Sequence, residues 1–560
     1  MMEITSDTRL SNPDINFRVS AGPGAGKTHW LVHHILEIIK QPERLGKNRK
    51  LACLTYTNIG ADTVIRRLGA AASSCFVGTV HSFLYKNVVK PYIGLIAEQL
   101  DITPKKLEGY DDSVIGDFNF LKLWKEETQQ TYLFDNNALV RALGATWWTL
   151  DKNKNIVLTN RPKKFIKVNG KSLKKGSALK YKQMAWKRGV FHPDDIFYFS
   201  IKLLNEYPII SKVLVAKFPY LFVDEFQDSN PLQVKIFQHF AEIGIFVGII
   251  GDTAQSIYGF SGASPDDFKN FKSPRIQDYV IRQNRRSSNE IILLLNHIRA
   301  DILQIPVRQV SMGVPELLVG TKQAALDYVK TRVLSEIIML SRNNQTVQEL
   351  RSPARKSGLP NLFAEMATRD SNFERRELVR ITVTALVQAK NLGLAHAVRN
   401  LPKVLESSWG SEAARKYATV FLLEILEDYA TYESFTLSQF IDYLRKDGSL
   451  SITGLTPGKS AKIFYDSYLF SDMANQVLAD DKASNRTIHK SKGDEFENVL
   501  LFLDEEQVNI LVKPEIFKLE EQRITYVAFS RARDRLFINV PILSDDQRKA
   551  LPPVVSVKSV

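Results

Sequence analysis

The sequence predicts an α/β protein with parallel sheets, and three observations support this fold class. A glycine-rich loop at residues 21–28 lies between a strand-like run and a helical pattern of apolar residues. Two further apolar runs, at residues 220–223 and 245–250, each end in polar residues, as buried parallel strands do. Because the carboxyl ends of parallel strands meet at one edge of a sheet, these three strand ends predict a single ligand site.

Length and composition set the limits of the prediction. At 560 residues, the chain exceeds one ordinary core and predicts three or four domains, at roughly 150 residues each. No apolar run reaches the roughly 18 residues of a membrane span, and the polar start does not resemble a signal peptide. Two cysteines, Cys53 and Cys75, are too few for an iron–sulfur cluster or a four-thiolate zinc site. We therefore expect a reduced, cytoplasmic protein without a membrane partner.

The charge is concentrated in one segment. The net charge is +14, and residues 161–188 contain eleven Lys or Arg and no acidic residue. Phe165, Tyr181 and Trp186 are interleaved with these cations. Such a segment attracts phosphates, and bases stack on exposed rings. We expect contact with nucleic acid, and the alternative is a solvated basic loop that only aids solubility.

The glycine-rich loop has the composition of a phosphate-binding loop. Its residues are Ala21, Gly22, Pro23, Gly24, Ala25, Gly26, Lys27 and Thr28. The glycines let backbone amides approach phosphates without a Cβ clash. Lys27 is placed to reach the β- and γ-phosphates of ATP, and Thr28 to bind Mg²⁺. Ala21 stands where the strict pattern has its first glycine, so the strand before the loop and the helix after it decide the assignment.

The two other strand ends supply acidic and amide side chains. Asp224 and Glu225 follow the run 220–223, where an Asp holds Mg²⁺ and a neighbouring Glu polarises the attacking water. Gln255 follows the run 245–250 and is a candidate sensor of the γ-phosphate. Alone, these residues would be an ordinary surface pair and a loop glutamine. Lys27 upstream favours the catalytic interpretation.

Nine segments, in order along most of the chain, resemble the motifs of superfamily 1A DNA helicases such as UvrD, Rep and PcrA. They are AGPGAGKT (21–28), LTYTNIGADTVIRRL (54–68), GTVHSF (78–83), VDEFQDSN (223–230), GDTAQSIYGFSGA (251–263), RQNRRSS (282–288), MLSRNNQTVQEL (339–350), TIHKSKGDEFENV (487–499) and EEQRITYVAFSRARDRL (520–536). One such match is modest evidence. The ordered set is what identifies the resemblance.

The resemblance implies two RecA-like lobes with ATP in the cleft between them. Arg286 and Arg531 match arginines that reach the γ-phosphate from the second lobe. Arginines delivered in this way contribute roughly 10³–10⁵ in rate. Glu495 matches a glutamate near the nucleotide sugar. The alternative for either arginine is a surface ion pair.

The resemblance also implies contacts with DNA. The matching positions are Tyr56, Thr57, Asn58, Thr79, His81, Tyr258, Phe260 and His489. Tyr258 and Phe260 stand where the family stacks bases on aromatic rings, a contact that reads no base sequence. The alternative for this pair is core packing, because aromatic side chains are usually buried.

The chain departs from the family pattern at several positions. Phe260 replaces a usual Trp, and Ser261 replaces a usual Arg. Arg285 replaces the Tyr that commonly stacks on adenine, although a guanidinium plane also stacks. No Gln stands at the usual adenine-reading position upstream of Ala21. We therefore expect weak selectivity for adenine.

The motifs divide the chain into four parts. Residues 1–85 and 197–281 are expected to form the first lobe, with a helical, basic insertion at 86–196. Residues 282–352 and 484–560 are expected to form the second lobe, with a reduced helical insertion at 353–483. Residues 458–460 resemble a second phosphate loop, but no strand precedes them and we interpret them as an ordinary loop.

Three functions compete. The leading one is an ATP-dependent helicase or translocase on single-stranded DNA, by resemblance 3′ to 5′, in DNA repair, recombination or phage defence. The second is a DNA-stimulated ATPase that senses or loads on single-stranded or partly duplex DNA and signals to a partner. A non-catalytic DNA-binding module is disfavoured because the catalytic residue types are present.

The plan of the chain suggests a partner. About 25 residues follow the last motif, which leaves no room for a nuclease domain there. The compact plan resembles small UvrD-like helicases encoded beside nucleases in phage-defence systems such as Gabija. We therefore expect any cutting of DNA to require a separate nuclease subunit.

Overall fold

The computed structural model describes most of the chain in two compact units. The described residues are 1–104, 110, 115, 118–161, 166–342, 359, 362–392, 394–397, 401, 411–446, 452–477 and 485–560. The first unit takes in 1–115, 119–343 and 487–560, and the second takes in 116–118 and 344–486. Within the described ranges, no helix is both long and apolar enough to span a bilayer.

Strands and helices alternate along the first unit. In chain order, the strands of the described residues are β1 (Met2–Ile4), β2 (Phe17–Ala21), β3 (Leu51–Thr55), β4 (Cys75–Thr79), β5 (Thr146–Leu150), β6 (Ile156–Asn160), β7 (Tyr220–Val223), β8 (Phe246–Gly251), β9 (Gln277–Ile281), β10 (Gln283–Asn284), β11 (Ile305–Pro306), β12 (Glu316–Val319), β13 (Ile337–Ser341), β14 (Asn485–Thr487), β15 (Phe496–Phe502), β16 (Ala532–Val540) and β17 (Ser556–Ser559). The α-helices of this unit are Lys27–Ile39, Pro42–Leu45, Asn58–Leu68, Val80–Leu84, Lys90–Tyr92, Phe118–Glu127, Asn136–Gly144, Ser177–Lys187, Pro193–Glu206, Pro208–Lys217, Pro231–Glu242, Pro265–Lys269, Asn289–Ile298, Lys322–Lys330, Asn509–Val512, Glu520–Phe529 and Asp545–Ala550.

The first lobe is built on a seven-stranded parallel sheet. Its order is β1-β9-β2-β8-β7-β3-β4, so the strand before the glycine-rich loop lies beside β8, and β8 lies beside β7. Gly248 of β8 is required by packing, because a Cβ there would lie 2.1 Å from the ring of Phe17 on β2. The carboxyl ends of three predicted strands therefore meet at one edge, and the predicted α/β class is confirmed.

The second lobe is built on a six-stranded sheet. Its order is β14-β13-β15-β16-β12-β17, and the pairs β13–β15, β15–β16, β16–β12 and β12–β17 are parallel. The buried core of this lobe contains Leu501, Val527 and Ile538. It also contains Ala254 and Ile257, which follow β8 of the first lobe. A piece of the first lobe's chain is thus embedded in the second.

The first insertion contains an antiparallel hairpin as well as helices. Strands β5 and β6 pair from Thr146 to Asn160, and a separate small core includes Trp124 and Tyr181. The predicted boundary at 196 falls inside the helix Pro193–Glu206. Lys163, Lys164 and Phe165, in the predicted basic segment, lie outside the described residues. Tyr181 and Trp186 are fully buried, so the prediction that bases stack on these two rings is wrong.

The described residues of the second unit are mainly helical. Its helices are Leu362–Arg369, Phe373–Leu392, Leu394–Ala397, Ser411–Glu427, Tyr429–Tyr432, Leu437–Lys446, Ser460–Ser467 and Phe470–Val477. Its core holds a buried ion pair, Arg375–Asp370, at 2.6 Å, to which the hydroxyl of Tyr465 donates. Gly458 and Lys459 lie in a turn before Ser460–Ser467, and residues 452–457, the described stretch just upstream, form no strand.

Candidate active site

The glycine-rich loop runs from the end of β2 into the helix Lys27–Ile39 as sequence analysis predicts. Gly24 and Gly26 have positive φ angles of 68° and 79°, a backbone conformation that favours glycine. The Lys27 ammonium is buried, and it reaches the carbonyls of Ala21 and Gly22 only at 3.5 and 3.4 Å. Such long contacts leave the ammonium able to donate to an anionic ligand, because hydrogen bonds between charged groups are stronger than those to carbonyls. The loop therefore fits a triphosphate.

Two candidate Mg²⁺ ligands are in contact. The hydroxyl of Thr28 donates to a carboxylate oxygen of Asp224 at 3.0 Å. Neighbouring oxygens around an octahedral Mg²⁺ are also about 3 Å apart, since the metal–oxygen distance is about 2.1 Å. Among the described residues, no group of three His, Cys, Asp or Glu side chains is arranged to hold a metal. The pair thus suits a Mg²⁺ whose other ligands are phosphate and water oxygens.

Glu225 is held in a strained backbone conformation. Its φ of 55° is rare outside glycine and costs of order 1–3 kcal/mol. Gln227 donates to its carboxylate and also accepts from the backbone of Asp252 at 3.0 Å, which ties β7 to β8.

Burial opposes ionisation of Glu225, but Lys27 and the second-lobe Lys492 outweigh it and lower the pKa of Glu225. Burial and the adjacent Glu225 carboxylate raise the pKa of Asp224. Glu225 is therefore the more readily ionised of the two carboxylates.

Gln255 joins the first lobe to the second. Its amide oxygen accepts from Arg531 at 2.9 Å, and its amide nitrogen donates to Asp252 at 2.7 Å. Burial and the nearby Arg286 lower the pKa of Arg531 to about 9, so its charge persists at neutral pH. The predicted sensor and one predicted arginine are therefore in direct contact.

Arg286 lies against the phosphate loop. A Cβ on Gly24 would lie 2.8 Å from Cβ of Arg286, and Arg285 donates its backbone N–H to the Gly24 carbonyl at 2.9 Å. The Arg286 side chain pairs with Glu495 at 2.7 Å and donates to the carbonyl of Ser530 at 3.0 Å. Glu495 is thus at the same rim as the loop, bound to an arginine.

Arg285 points along the edge of the loop toward the start of the chain. Its guanidinium pairs with Asp7 at 2.6 Å, and Asp7 also lies 3.4 Å from His29, one residue after the loop. The three side chains form a polar group where the resemblance places the nucleotide base. Asp7 and His29 were not predicted as site residues, because neither lies in any of the nine motifs.

Two buried ion pairs between the lobes were also missed. Lys492 binds the carboxylate of Asp228 and the carbonyl of Gln255, the latter at 2.8 Å. Arg299 is fully buried and pairs with Asp252 at 2.8 Å. Lys492 and Asp228 lie inside two of the nine motifs, so their positions could have marked them as candidate site residues. Arg299 lies outside every motif.

Four predicted DNA-binding residues form one aromatic cluster. The ring of Tyr258 lies 4.6 Å from that of Tyr56 and 5.7 Å from that of Phe260. His489, from the second lobe, lies 6.0 Å from both Tyr258 and Phe260. Tyr258 is half-buried, while the side chain of Phe260 is 46% exposed. The cluster therefore offers a ring surface to a ligand.

Three other predicted DNA-binding residues lie at helix starts. Thr57 caps the helix Asn58–Leu68 by accepting from Gly60 at 3.1 Å. Thr79 caps the helix Val80–Leu84 by accepting from Ser82 at 3.2 Å. Asn58 is exposed in the first turn. Capping accounts for both threonines without a ligand.

His81 packs against an aromatic ring. Its ring centroid is 4.5 Å from that of Phe197. Burial lowers the pKa of His81 to about 4, so the imidazole is neutral at physiological pH. A neutral ring cannot form an ion pair with a phosphate.

The geometry defines a class of protein. A phosphate-binding loop, an acidic strand end, Arg286 just after β10 and Arg531 just before β16 meet at one place, which is the arrangement of P-loop proteins with a nucleotide site shared by two lobes. The aromatic cluster is joined to this site through residues 255–258.

Comparison with known proteins identifies the family. The UvrD/REP helicase N-terminal domain matches residues 6–275, and the UvrD-like helicase C-terminal domain matches residues 435–541. The two ranges cover about two thirds of the chain. The chain belongs to the UvrD/Rep helicase family.

Individual relatives are distant and differ in coverage. The Gabija protein GajB of Bacillus cereus is 26% identical over 51% of this chain and 47% of its own length. The DNA helicase PcrA of Bacillus subtilis is 27% identical over 50% of this chain and 36% of its own length. PcrA of Leuconostoc citreum is 23% identical over 93% of this chain and 79% of its own length. The chain thus spans about half or less of the first two relatives.

Proposed function

We propose that this protein is an ATP-dependent DNA helicase or translocase that moves on single-stranded DNA in the 3′ to 5′ direction. The observation that carries the proposal is the bond between Arg531 and Gln255, 2.9 Å long, which joins the two lobes at the candidate γ-phosphate position. A site assembled from two lobes links nucleotide state to lobe closure, and such closure is how a motor steps.

The roles of the chain's own groups follow from their positions. Lys27 and the loop amides bind the β- and γ-phosphates of ATP. Glu225, ionised and fixed by Gln227, orients the attacking water. Arg286 and Arg531 stabilise charge that develops on the γ-phosphate. Mg²⁺, held by Thr28 and Asp224, would neutralise charge on the phosphate oxygens.

DNA would be gripped by stacking. The rings of Tyr56, Tyr258 and Phe260 lie within 5.7 Å of a neighbour in the cluster and suit bases of any sequence. The exposed lysines Lys174 and Lys175 in the first insertion supply charge for the phosphate backbone. Sequence-independent contacts of both kinds suit a protein that travels along a strand.

The test is hydrolysis of ATP with and without single-stranded DNA, followed by strand displacement. We expect DNA to stimulate hydrolysis, and Glu225→Gln to lower the rate by about 10²–10⁴-fold while ATP binding persists. The matched control is Glu242→Gln, which removes an exposed carboxylate from the helix Pro231–Glu242. Substantial hydrolysis by Glu225→Gln would contradict the assigned role, and absence of DNA stimulation would contradict the motor.

A second candidate is a DNA-stimulated ATPase that signals to a separate nuclease without processive unwinding, as part of phage defence. The similarity to the Gabija protein GajB over half of this chain favours it. DNA-stimulated hydrolysis without strand displacement, together with a nuclease that co-purifies with the protein, would support this candidate. Full unwinding by the isolated protein would favour the motor.

A further inference from the structure

The hairpin β5–β6 of the first insertion packs against the chain that follows Phe260. Trp147, in β5, is buried, and a Cβ on Gly262 would lie 2.1 Å from its indole ring. Gly262 also has a positive φ of 83°, so both the available space and the backbone conformation favour glycine there. The insertion therefore reaches the edge of the aromatic cluster, two residues after Phe260.

The same face of the hairpin brings a cation to this edge. Trp147 pairs with Thr159 across the two strands, and Arg161 comes two residues after Thr159. Because side chains alternate between the two faces of a strand, residues two apart point to the same side. The backbone N–H of Arg161 donates to the carbonyl of Ala145 at 2.8 Å, which fixes the start of this side chain just beyond β6. Arg161 thus begins on the face of the hairpin that bears Trp147.

Arg161 also acts electrostatically on a ring of the cluster. Burial raises the pKa of Tyr56 to about 12. A hydrogen bond with Ser261 and the positive charge of Arg161 oppose this rise. Coulomb interactions weaken with distance, so the guanidinium lies in the neighbourhood of the Tyr56 hydroxyl. Tyr56 in turn stacks on Tyr258 at 4.6 Å, which places the cation beside the stacked rings.

The guanidinium of Arg161 has donor capacity that its surroundings leave unused. Its Nε is buried and has no hydrogen-bond partner among the residues that the structure describes. Ser261 adds no charge to this region, and its hydroxyl donates to the carbonyl of Tyr258 at 2.8 Å. A buried donor without an acceptor is costly, and an anionic ligand would remove that cost. The cluster therefore combines rings that suit bases with a cation that suits an anion.

We propose that Arg161 binds a phosphate of the single-stranded DNA whose bases stack on the aromatic cluster. A guanidinium donates two parallel hydrogen bonds to a phosphate, and its charge favours an anion over a neutral group. Single-strand sites combine rings for the bases with cations for the backbone, and Arg161 supplies a cation here. This inference rests on the proposed function and gives the hairpin of the first insertion a part in the strand site.

Two substitutions at Arg161 and one control test the inference. Arg161→Gln removes the charge, whereas Arg161→Lys keeps the charge and loses the planar fork of donors. The matched control is Lys152→Gln, which removes an exposed positive charge from the turn at the other end of the same hairpin. Thermal unfolding shows whether each variant is folded.

The measurement is the Kd for fluorescent oligo-dT over a series of salt concentrations, without nucleotide. We expect Arg161→Gln to weaken binding at least about tenfold at low salt and to flatten the plot of log affinity against log salt by about 0.7, the value for one phosphate contact. Arg161→Lys and Lys152→Gln should keep the slope of the unaltered protein. An unchanged slope in Arg161→Gln would overturn the proposal, as would an equal loss of slope in Lys152→Gln.

Moving the charge distinguishes a phosphate contact from a merely structural role. Ser261 is hydrogen-bonded to Tyr56, so an arginine at position 261 would bring a guanidinium back to the same region. The double variant Arg161→Gln with Ser261→Arg should recover the slope that Arg161→Gln loses, and a slope that stays low would overturn the placement of the phosphate beside Tyr56.

The same titrations separate failure of this inference from failure of the proposed function. If the unaltered protein did not bind oligo-dT, the proposed function would fail and this inference with it. If the unaltered protein bound oligo-dT and Arg161→Gln bound it equally well at every salt concentration, only the role of Arg161 would be contradicted.

Discussion

The nucleotide site and the aromatic cluster are built in opposite ways. At the nucleotide site, Asp224 directly follows a strand of the first sheet and meets Thr28, in the first turn of the helix after the phosphate loop, at 3.0 Å. At the aromatic cluster, Tyr56 and Phe260 of the first lobe meet His489 of the second. The topology of the first sheet therefore fixes the phosphate loop and Asp224, whereas the cluster, like the contact of Arg531 with Gln255, depends on how the two lobes are joined.

The two regions also differ in what they bury. The nucleotide site buries charge, with Lys27, Asp224 and Arg531 all nearly inaccessible to solvent. Such groups are costly to bury without partners and are effective once a charged ligand is bound. The cluster instead presents rings with little charge, which gain from stacking on any base. Perturbing the nucleotide site should thus change rates steeply, and perturbing the cluster should change DNA affinity moderately.

The largest effect is expected at Arg531. Arg531→Ala should lower ATP hydrolysis by about 10³-fold or more, because the guanidinium bound to Gln255 would no longer stabilise charge on the γ-phosphate. Steady-state hydrolysis at saturating ATP and DNA measures this loss. ATP affinity, measured by fluorescence titration, should change much less.

Arg535→Ala is the control for Arg531→Ala. Arg535 lies on β16, four residues after Arg531, and donates to the carbonyl of Arg332 at 2.9 Å. Arg535→Ala should leave the rate of ATP hydrolysis within threefold of that of the unaltered protein. If Arg531→Ala kept a tenth of the rate, Arg531 would not have the assigned role at the γ-phosphate.

A smaller effect is expected at Phe260. Removal of one stacking ring costs about 1–3 kcal/mol per base, so Phe260→Ala should weaken binding of single-stranded DNA by about 5- to 150-fold. Phe260→Trp should retain binding, because it offers a larger ring. Phe517→Ala is the control, since Phe517 is an exposed ring of the second lobe. Its only role in this comparison is as a ring that contacts the ammonium of Lys269. If Phe260→Ala and Phe517→Ala bound single-stranded DNA with equal affinity, Phe260 would have no role in DNA binding.

The same contrast explains what the sequence could predict. The phosphate loop and Asp224 were found because strand, turn and helix signals are local, and the sheet order β2-β8-β7 brings them together. The family resemblance supplied Arg531 and the aromatic positions. The motif at 487–499 contained Lys492, but nothing in its spacing indicates that the ammonium would bind Asp228 and a carbonyl of another lobe.

Arg299 shows the limit of sequence reasoning. It is fully buried against Asp252, yet it lies in no motif, and a lone arginine after a helix is usually interpreted as exposed. The hairpin β5–β6 was also missed inside an insertion expected to be helical. Both features are set by tertiary contacts, which local periodicity does not encode.

A moderate, salt-dependent effect is expected in the first insertion. Neutralising Lys174 and Lys175 together to Gln should flatten the plot of log affinity against log salt by at most about 1.4, at roughly 0.7 per phosphate contact with single strands. The control is Lys513→Gln with Lys549→Gln, two exposed lysines of the second lobe. An unchanged slope would favour the solvated-loop interpretation and confine DNA contact to the aromatic cluster.

The smallest effect on DNA binding is expected at His81. Its ring packs on Phe197, and burial lowers the pKa of His81 to about 4, so it carries no charge for a phosphate at neutral pH. His81→Gln should therefore change affinity for single-stranded DNA by less than twofold at pH 7.5. A loss of fivefold or more would show a direct contact and would extend the DNA site beyond the cluster.

The free energy of unfolding should nevertheless depend on His81 as the pH falls. With a folded-state pKa near 4 against about 6.5 when unfolded, the unfolded chain binds the proton first, so the free energy of unfolding decreases below pH 6.5. For this residue the decrease is at most about 2 kcal/mol at pH 5. Urea unfolding at pH 7.5 and pH 5 should therefore show a smaller decrease for His81→Gln than for the unaltered protein. An identical decrease in the free energy of unfolding of the variant and of the unaltered protein would mean that the His81 imidazole is solvated. The burial of His81 against Phe197 would then be contradicted.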